Sequence, residues 1–218
     1  MRFVIALALS GSISLAGSTL CKAQDQDLDF PDYRNKKDNF SKVREADIRA
    51  DVASFALAAV DESIGKAVLK TVPVKEYTNN YMQFEDDKIQ VTIRSGVFFP
   101  SKHKMQFMEK HLVKIDGKPY YGGIYGEPPS STIESVTVLV GKDTVPIPAA
   151  AFADLYNPRF SFNQSGSTRT RNGVYLSNDK HTFYIYILNI ENGGTEYTWV
   201  IRDKQYVRRV VDYSFLSK

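Results

Sequence analysis

Cysteine is almost missing from this chain: its 218 residues contain one, Cys21. A disulfide framework needs pairs, so no bridge within the chain can stiffen the fold. Histidine is nearly as scarce, with only His103, His111 and His181. These show neither the His-Glu-x-x-His spacing of a zinc-binding helix nor a three-histidine set, so no metal site is expected. No Gly-x-Ser-x-Gly elbow marks a nucleophile, and Gln164-Ser165-Gly166-Ser167 falls in an expected loop. Glu85, Asp86 and Asp87 crowd into one turn, where acids are ordinarily solvated rather than paired for glycoside chemistry. Tyr121 to Gly126 is glycine-rich but lacks the spacing of a phosphate cradle. No catalytic residue and no cofactor are therefore expected.

Long apolar runs are also lacking. A membrane-spanning helix needs about 20 consecutive apolar residues, and the run from Phe3 to Leu9 falls far short. That run follows a single positive charge, Arg2, and gives way to small residues from Ser10 onward. This is the layout of a secretory signal. Small residues at Cys21 and Ala23 place the expected cut after Ala23, making residues 1–23 a signal peptide and the product secreted or periplasmic. An uncleaved interfacial anchor is the alternative. A lipid on Cys21 fits poorly, because Leu20 stands where the processing peptidase wants a small residue. After cleavage the chain would carry no thiol and would not span a membrane.

A strong charge of one sign is absent too. Lys and Arg number 28 against 25 Asp and Glu, a formal net charge of +3. Arg2 and Lys22 leave with the signal and no acid does, so the remainder is nearly neutral. Nucleic acid needs a dense basic face, and none is expected here.

What is present is a strand-rich pattern behind a polar lead. Residues 24–43 are mixed in charge and poor in aliphatic side chains, the composition of a flexible linker. Residues 44–218 read as one β-rich domain. Near its start Ile48, Val52, Phe55, Ala56, Ala59 and Val60 recur at helical spacing, with Ser41 or Asp47 as a cap and Gly65 as a stop. The apolar run Ala53 to Val60 fits a buried strand as well, and periodicity does not decide between them.

From Thr71 onward strands alternate with turns. Tyr81 to Phe84 and Ile89 to Ile93 flank an acidic turn, and Leu112 to Ile115 runs into Asp116-Gly117, a strong hairpin signal. Ser135 to Val140 is followed by a return strand that Pro146 keeps short or at an edge. Residues 149–157 allow a turn or two of helix, and residues 161–173 read as a long loop. Residues 183–188, 197–201 and 206–212 form a meander whose first strand is apolar on both faces. Together these define a mainly β class: an antiparallel, sandwich-like domain with one short helix near its amino end.

The most unusual local composition is Lys118 to Pro129, where Tyr120, Tyr121 and Tyr125 lie among glycines and prolines. Exposed aromatic faces grip sugars and peptide backbones, so these three residues are the candidate ligand contacts. The competing reading is that their rings cover the end of a core. Arg208 and Arg209 are adjacent in a strand and point to opposite faces, so they make no single basic patch.

The expected function is a non-enzymatic binding module of the cell envelope, with a glycan or protein ligand. A hydrolase with dispersed active-site residues and a purely structural envelope protein are the alternatives. The signal ending in Lys22-Ala23-Gln24, the segment Asp154-Leu155-Tyr156-Asn157-Pro158 and the ending Thr198 to Ile201 with Tyr206 to Val210 resemble uncharacterised exported β-rich proteins of Bacteroidota-type bacteria. That resemblance implies export and a β-rich fold, and no activity or site residue.

Overall fold

The computed structural model describes residues 37–59, 62, 65–124, 126–189 and 194–213. The expected signal peptide, Cys21, most of the expected linker and Tyr125 lie outside the described residues. So do residues 191–193 of the turn expected between the first two strands of the meander, at Glu191 to Gly194.

Two five-stranded antiparallel sheets dominate. The first runs in the order β1 (Lys70–Val72), β11 (Gly173–Leu176), β12 (Thr182–Asn189), β13 (Thr195–Arg202) and β14 (Gln205–Tyr213). The second has β2 (Val74–Tyr77), β3 (Tyr81–Glu85), β4 (Ile89–Val97), β7 (Ser131–Val140) and β8 (Asp143–Val145). Neither closes into a barrel. Pro73, between β1 and β2, cannot donate to a ladder and stands where the chain passes from one sheet to the other. Two ribbons complete the β structure: β5 (Met105–Met108) with β6 (His111–Ile115), and β9 (Phe162–Gln164) with β10 (Ser167–Arg169).

The alternation in β12 has a direct consequence for packing. Phe183, Ile185 and Ile187 join Trp199 and Ile201 in a cluster that also contains Met82, Phe84, Val91, Ile93 and Val138 of the second sheet. Both sheets thus share one core. Tyr184, Tyr186 and Leu188 project the other way and meet Phe40, Val43, Ile48 and Val52. The first strand of the meander is apolar on both faces because each face has its own cover. Burying one such side chain is worth about 1.5–3 kcal/mol, so a sheet with two filled faces is strongly favoured.

The short helix is α1 (Ala46–Val52), and a single 3-10 turn covers Leu57–Ala59. The helical reading of the apolar stripe holds for α1, while Ala53 to Ala56 is neither strand nor continuous helix. Glu45, rather than Asp47 or Ser41, occupies the cap position, and its side chain makes no capping bond. Ser41 belongs to an earlier 3-10 turn capped by Asn39, whose Oδ1 accepts from the Ser41 N–H at 2.9 Å.

Residues 37–43, the end of the expected linker, are packed onto the first sheet. Phe40 and Val43 are buried, and the Val211 N–H donates to the Asp38 carbonyl at 2.8 Å. The polar composition of the stretch hid two apolar anchors.

Asp116-Gly117 forms the expected tight turn, with φ 52° and 74°. The ladder beyond it stops after the Ile115–Lys118 pair, because Pro119 offers no N–H. β6 finds its partner upstream, in β5. The expected loop at 161–173 contains the β9–β10 ribbon, turned by Ser165 and Gly166 with φ 51° and 79°. Residues 149–157 supply one 3-10 turn, Ala149–Ala151. β8 is short and lies at an edge, as Pro146 requires.

Candidate functional site

The aromatic loop gives no exposed platform in its described part. Tyr121 is 2% exposed and lies in the core shared by the sheets. Its N–H donates to the Asp154 carbonyl and its carbonyl accepts from the Tyr156 N–H, at 2.9 and 2.8 Å. Tyr120 is half-buried; its hydroxyl donates to the Leu112 carbonyl at 3.2 Å and its ring meets Tyr156 edge-on. Tyr121 lies in the core shared by the sheets, and Tyr120 packs against a separate small cluster of Phe98, Leu112, Ile115 and Tyr156. Gly122 explains the rigidity: at φ +85°, a Cβ there would sit 2.1 Å from the Tyr156 carbonyl oxygen.

The segment Asp154 to Pro158 holds this region together. Arg209 of β14 forks onto both Asp154 oxygens, the second at 2.8 Å, and reaches Asp38 at 3.0 Å through Nε. Its guanidinium also lies 5.6 Å from the centre of the Tyr121 ring. Burial works against the Arg209 charge, but Asp154 and Asp38 outweigh it and push the pKa up. Leu155 and Tyr156 are buried, and burial raises the Tyr156 phenol to about 12. Asn157 adopts φ 46°, and its Oδ1 accepts from the Ser130 and Ser131 N–H groups at 2.9 Å. Arg208 points the opposite way, to Glu45 at 2.8 Å, as strand alternation requires. These residues are mortar.

The histidines are separated by role. His103 pairs with Asp116 at 2.8 Å and stacks on Phe98, with ring centres 4.5 Å apart. That hydrogen bond holds the Asp116 carboxyl below its usual range. His181 is exposed and meets Asp203 at 3.2 Å. His111 is exposed and lies against Gly126. Among the described residues no group of three or more His, Cys, Asp or Glu side chains is placed to hold a metal ion.

A different place has the shape of a site. A cleft of about 670 Å³ opens where the β3–β4, β11–β12 and β13–β14 turns come together with the end of β7. Ile89, Val140, Leu176 and Phe183 form its apolar wall, and Lys70, Lys88, Lys180 and Lys204 stand around it. The registers explain the convergence: Ile89 pairs with Val140, and Thr182 with Arg202, so the turns beyond them all project from one end. Two of these turns are stiffened by acids. Asp86 Oδ1 accepts from the Lys88 and Ile89 N–H groups at 2.8 and 2.7 Å. Asp179 accepts from the His181 and Thr182 N–H groups, both at 2.7 Å. Cleft volumes of about 300–1,000 Å³ with an apolar lining and a few polar groups are typical of small-ligand sites.

Asp86 and His181 were weighed from the sequence and set aside, and no cleft residue was kept as a candidate. The available signal is that three separate turns contain Asp-Lys, at Asp87-Lys88, Asp179-Lys180 and Asp203-Lys204. Each pair alone reads as a solvated turn, and only the strand registers bring them together.

No family model, curated protein or solved structure matches the chain. Function is therefore argued from geometry. No described helix is long and apolar enough to cross a membrane.

Proposed function

We propose that the chain is an exported, non-enzymatic binding module of the cell envelope, built as a β-sandwich whose end cleft takes the ligand. The observation that carries this reading is the cleft itself. Five strand ends and three turns shape one recess with an apolar wall and a cationic rim. The core that both sheets share, with Phe84, Ile93 and Val138 in one cluster with Ile185, Trp199 and Ile201, supports the sandwich reading. Export rests on the charge, apolar run and small-residue cleavage pattern of residues 1–23, together with the resemblance to exported β-rich proteins of Bacteroidota-type bacteria.

A glycan or a protein is the envelope ligand expected from the sequence, and both are tested at the cleft. Tyr120 and Tyr121 serve the core, so recognition passes to the cleft. The test is retention on an array of envelope glycans and envelope proteins. The natural chain should be retained, Lys88→Glu/Lys180→Glu should lose retention, and Tyr120→Phe should keep it. Failure of the natural chain to be retained would rule out a glycan or protein ligand, and loss in the Tyr120 variant alone would overturn the cleft as the recognition site. Amino-terminal sequencing of the secreted product should begin at Gln24; a start at Met1 would contradict export by cleavage.

A further inference from the structure

Resting on the reading of the cleft as the recognition site, we propose that its ligand is a single-chain alkyl acid. The acid group is held by the ammonium groups of Lys70, Lys88 and Lys180, and the hydrocarbon tail lies along Ile89, Val140, Leu176 and Phe183.

The charges around the cleft are not equally committed. Lys204 is paired with Asp143 at 2.6 Å, and Asp203 with His181 at 3.2 Å. Asp86 is turned into its own hairpin, where it accepts two backbone N–H groups. Lys70, Lys88 and Lys180 are exposed, and among the described residues none has a carboxylate partner. Three cations with no ion-pair partner among the described residues therefore border one recess, outnumbering the Asp86 and Asp203 carboxylates that also line it and keep their charge. An anion completes that arrangement.

The wall selects what else the ligand carries. Ile89, Val140 and Leu176 are half-buried fringe members of the shared core, and Phe183 belongs to the core proper. A hydrocarbon tail on this wall would extend the core outward and remove apolar surface from water. A neutral sugar finds less here. The uncharged polar groups bordering the cleft are Ser177, Asn178 and Thr182. The Thr182 hydroxyl already donates to Asp179 and accepts from Arg202, at 2.7 and 2.9 Å. The lysines suit an amphiphile as well, since their stems can lie on the same wall while the ammonium groups reach out.

Calorimetric titration of the full chain with three probes tests this. Dodecanoate, kept below its micelle concentration, should bind saturably at one site. Butyrate, the same acid without the tail, and dodecyltrimethylammonium, the same tail with the opposite charge, should each bind at least tenfold more weakly. Lys70→Glu/Lys180→Glu should weaken dodecanoate at least tenfold with its thermal midpoint unchanged. Equal binding of the cationic probe would overturn the proposal, and so would no saturable binding of dodecanoate. The three-probe comparison on the natural chain does not depend on the variant folding. If dodecanoate fails while an envelope glycan or protein is still retained in a way that Lys88→Glu/Lys180→Glu abolishes, the alkyl acid falls and the recognition cleft stands. If that retention is indifferent to the lysines, both fall.

Discussion

Two regions of the molecule use charge in opposite ways. Around Arg209, every charge is consumed internally: one guanidinium is shared by Asp38 and Asp154, with the three side chains 11%, 17% and 24% exposed. Around the cleft, Asp86 bonds within its own turn, Asp203 meets His181, and three lysines make no ion pair among the described residues. The first arrangement ties the amino-terminal segment, β14 and the Asp154 to Pro158 segment into one body. The second leaves a surface with an unmet electrostatic demand. Partly buried ion pairs with several hydrogen bonds serve structure because losing one partner strands the others. Exposed lysines cost little to keep or lose, so their grouping over an apolar wall is better explained by recognition than by stability.

Breaking the first region should have the largest effect. Arg209→Ala leaves Asp38 and Asp154 facing each other without a cation, and about 3 kcal/mol of stability should be lost by urea unfolding. A loss under about 1 kcal/mol would show that solvent screens the pair and that the segment is held by apolar contacts alone.

That region also shows where sequence reading succeeds and fails. The meander was legible because alternation is local: Phe183, Ile185 and Ile187 share a face by strand geometry alone. The separation of Arg208 from Arg209 was legible for the same reason. Tyr121 was not, since glycines and prolines around a tyrosine describe an exposed loop and a stapled one equally well. Arg209, Asp154 and Asp38 decide between them, and Asp38 is 171 residues from Arg209. The linker misled in a similar way: its composition is polar, yet Phe40 and Val43 anchor it. The cleft was invisible because its lysines lie far apart in the chain, at Lys70 in β1 and in three separate turns.

The cover of the first sheet offers the next test. Glu196 is buried and accepts from the Leu57 N–H at 2.8 Å, from the Ala58 N–H, and from the Tyr186 hydroxyl at 2.6 Å. Glu196→Ala orphans all three donors and should cost about 2 kcal/mol. Burial raises the Glu196 carboxyl above its usual range, although Tyr186 and the two N–H groups pull it down. An acid with a raised folded pKa favours the folded state fully below its unfolded pKa and loses that advantage as pH rises through the folded value. The stability gap between the natural chain and Glu196→Ala should therefore be widest in acid and narrow toward neutral pH. Matched urea titrations across that range check the sign.

A smaller effect of opposite sign is expected at Tyr197. Among the described residues its hydroxyl is buried without a hydrogen-bond partner. Tyr197→Phe removes an unsatisfied group at nearly constant shape and should raise stability by about 0.5–1 kcal/mol in thermal unfolding. Smallest of all should be Asp143→Asn, which frees Lys204. Both partners are more than half exposed, so the change should stay within about 0.5 kcal/mol.

The most direct test of the division between the two regions is urea unfolding of Lys70→Glu/Lys88→Glu/Lys180→Glu. The expected midpoint is within error of the natural chain's, because these ammonium groups hold nothing in the fold. A loss approaching that of Arg209→Ala would contradict the account, since the lysines would then be structural and the cleft would have no charge to spare for a ligand.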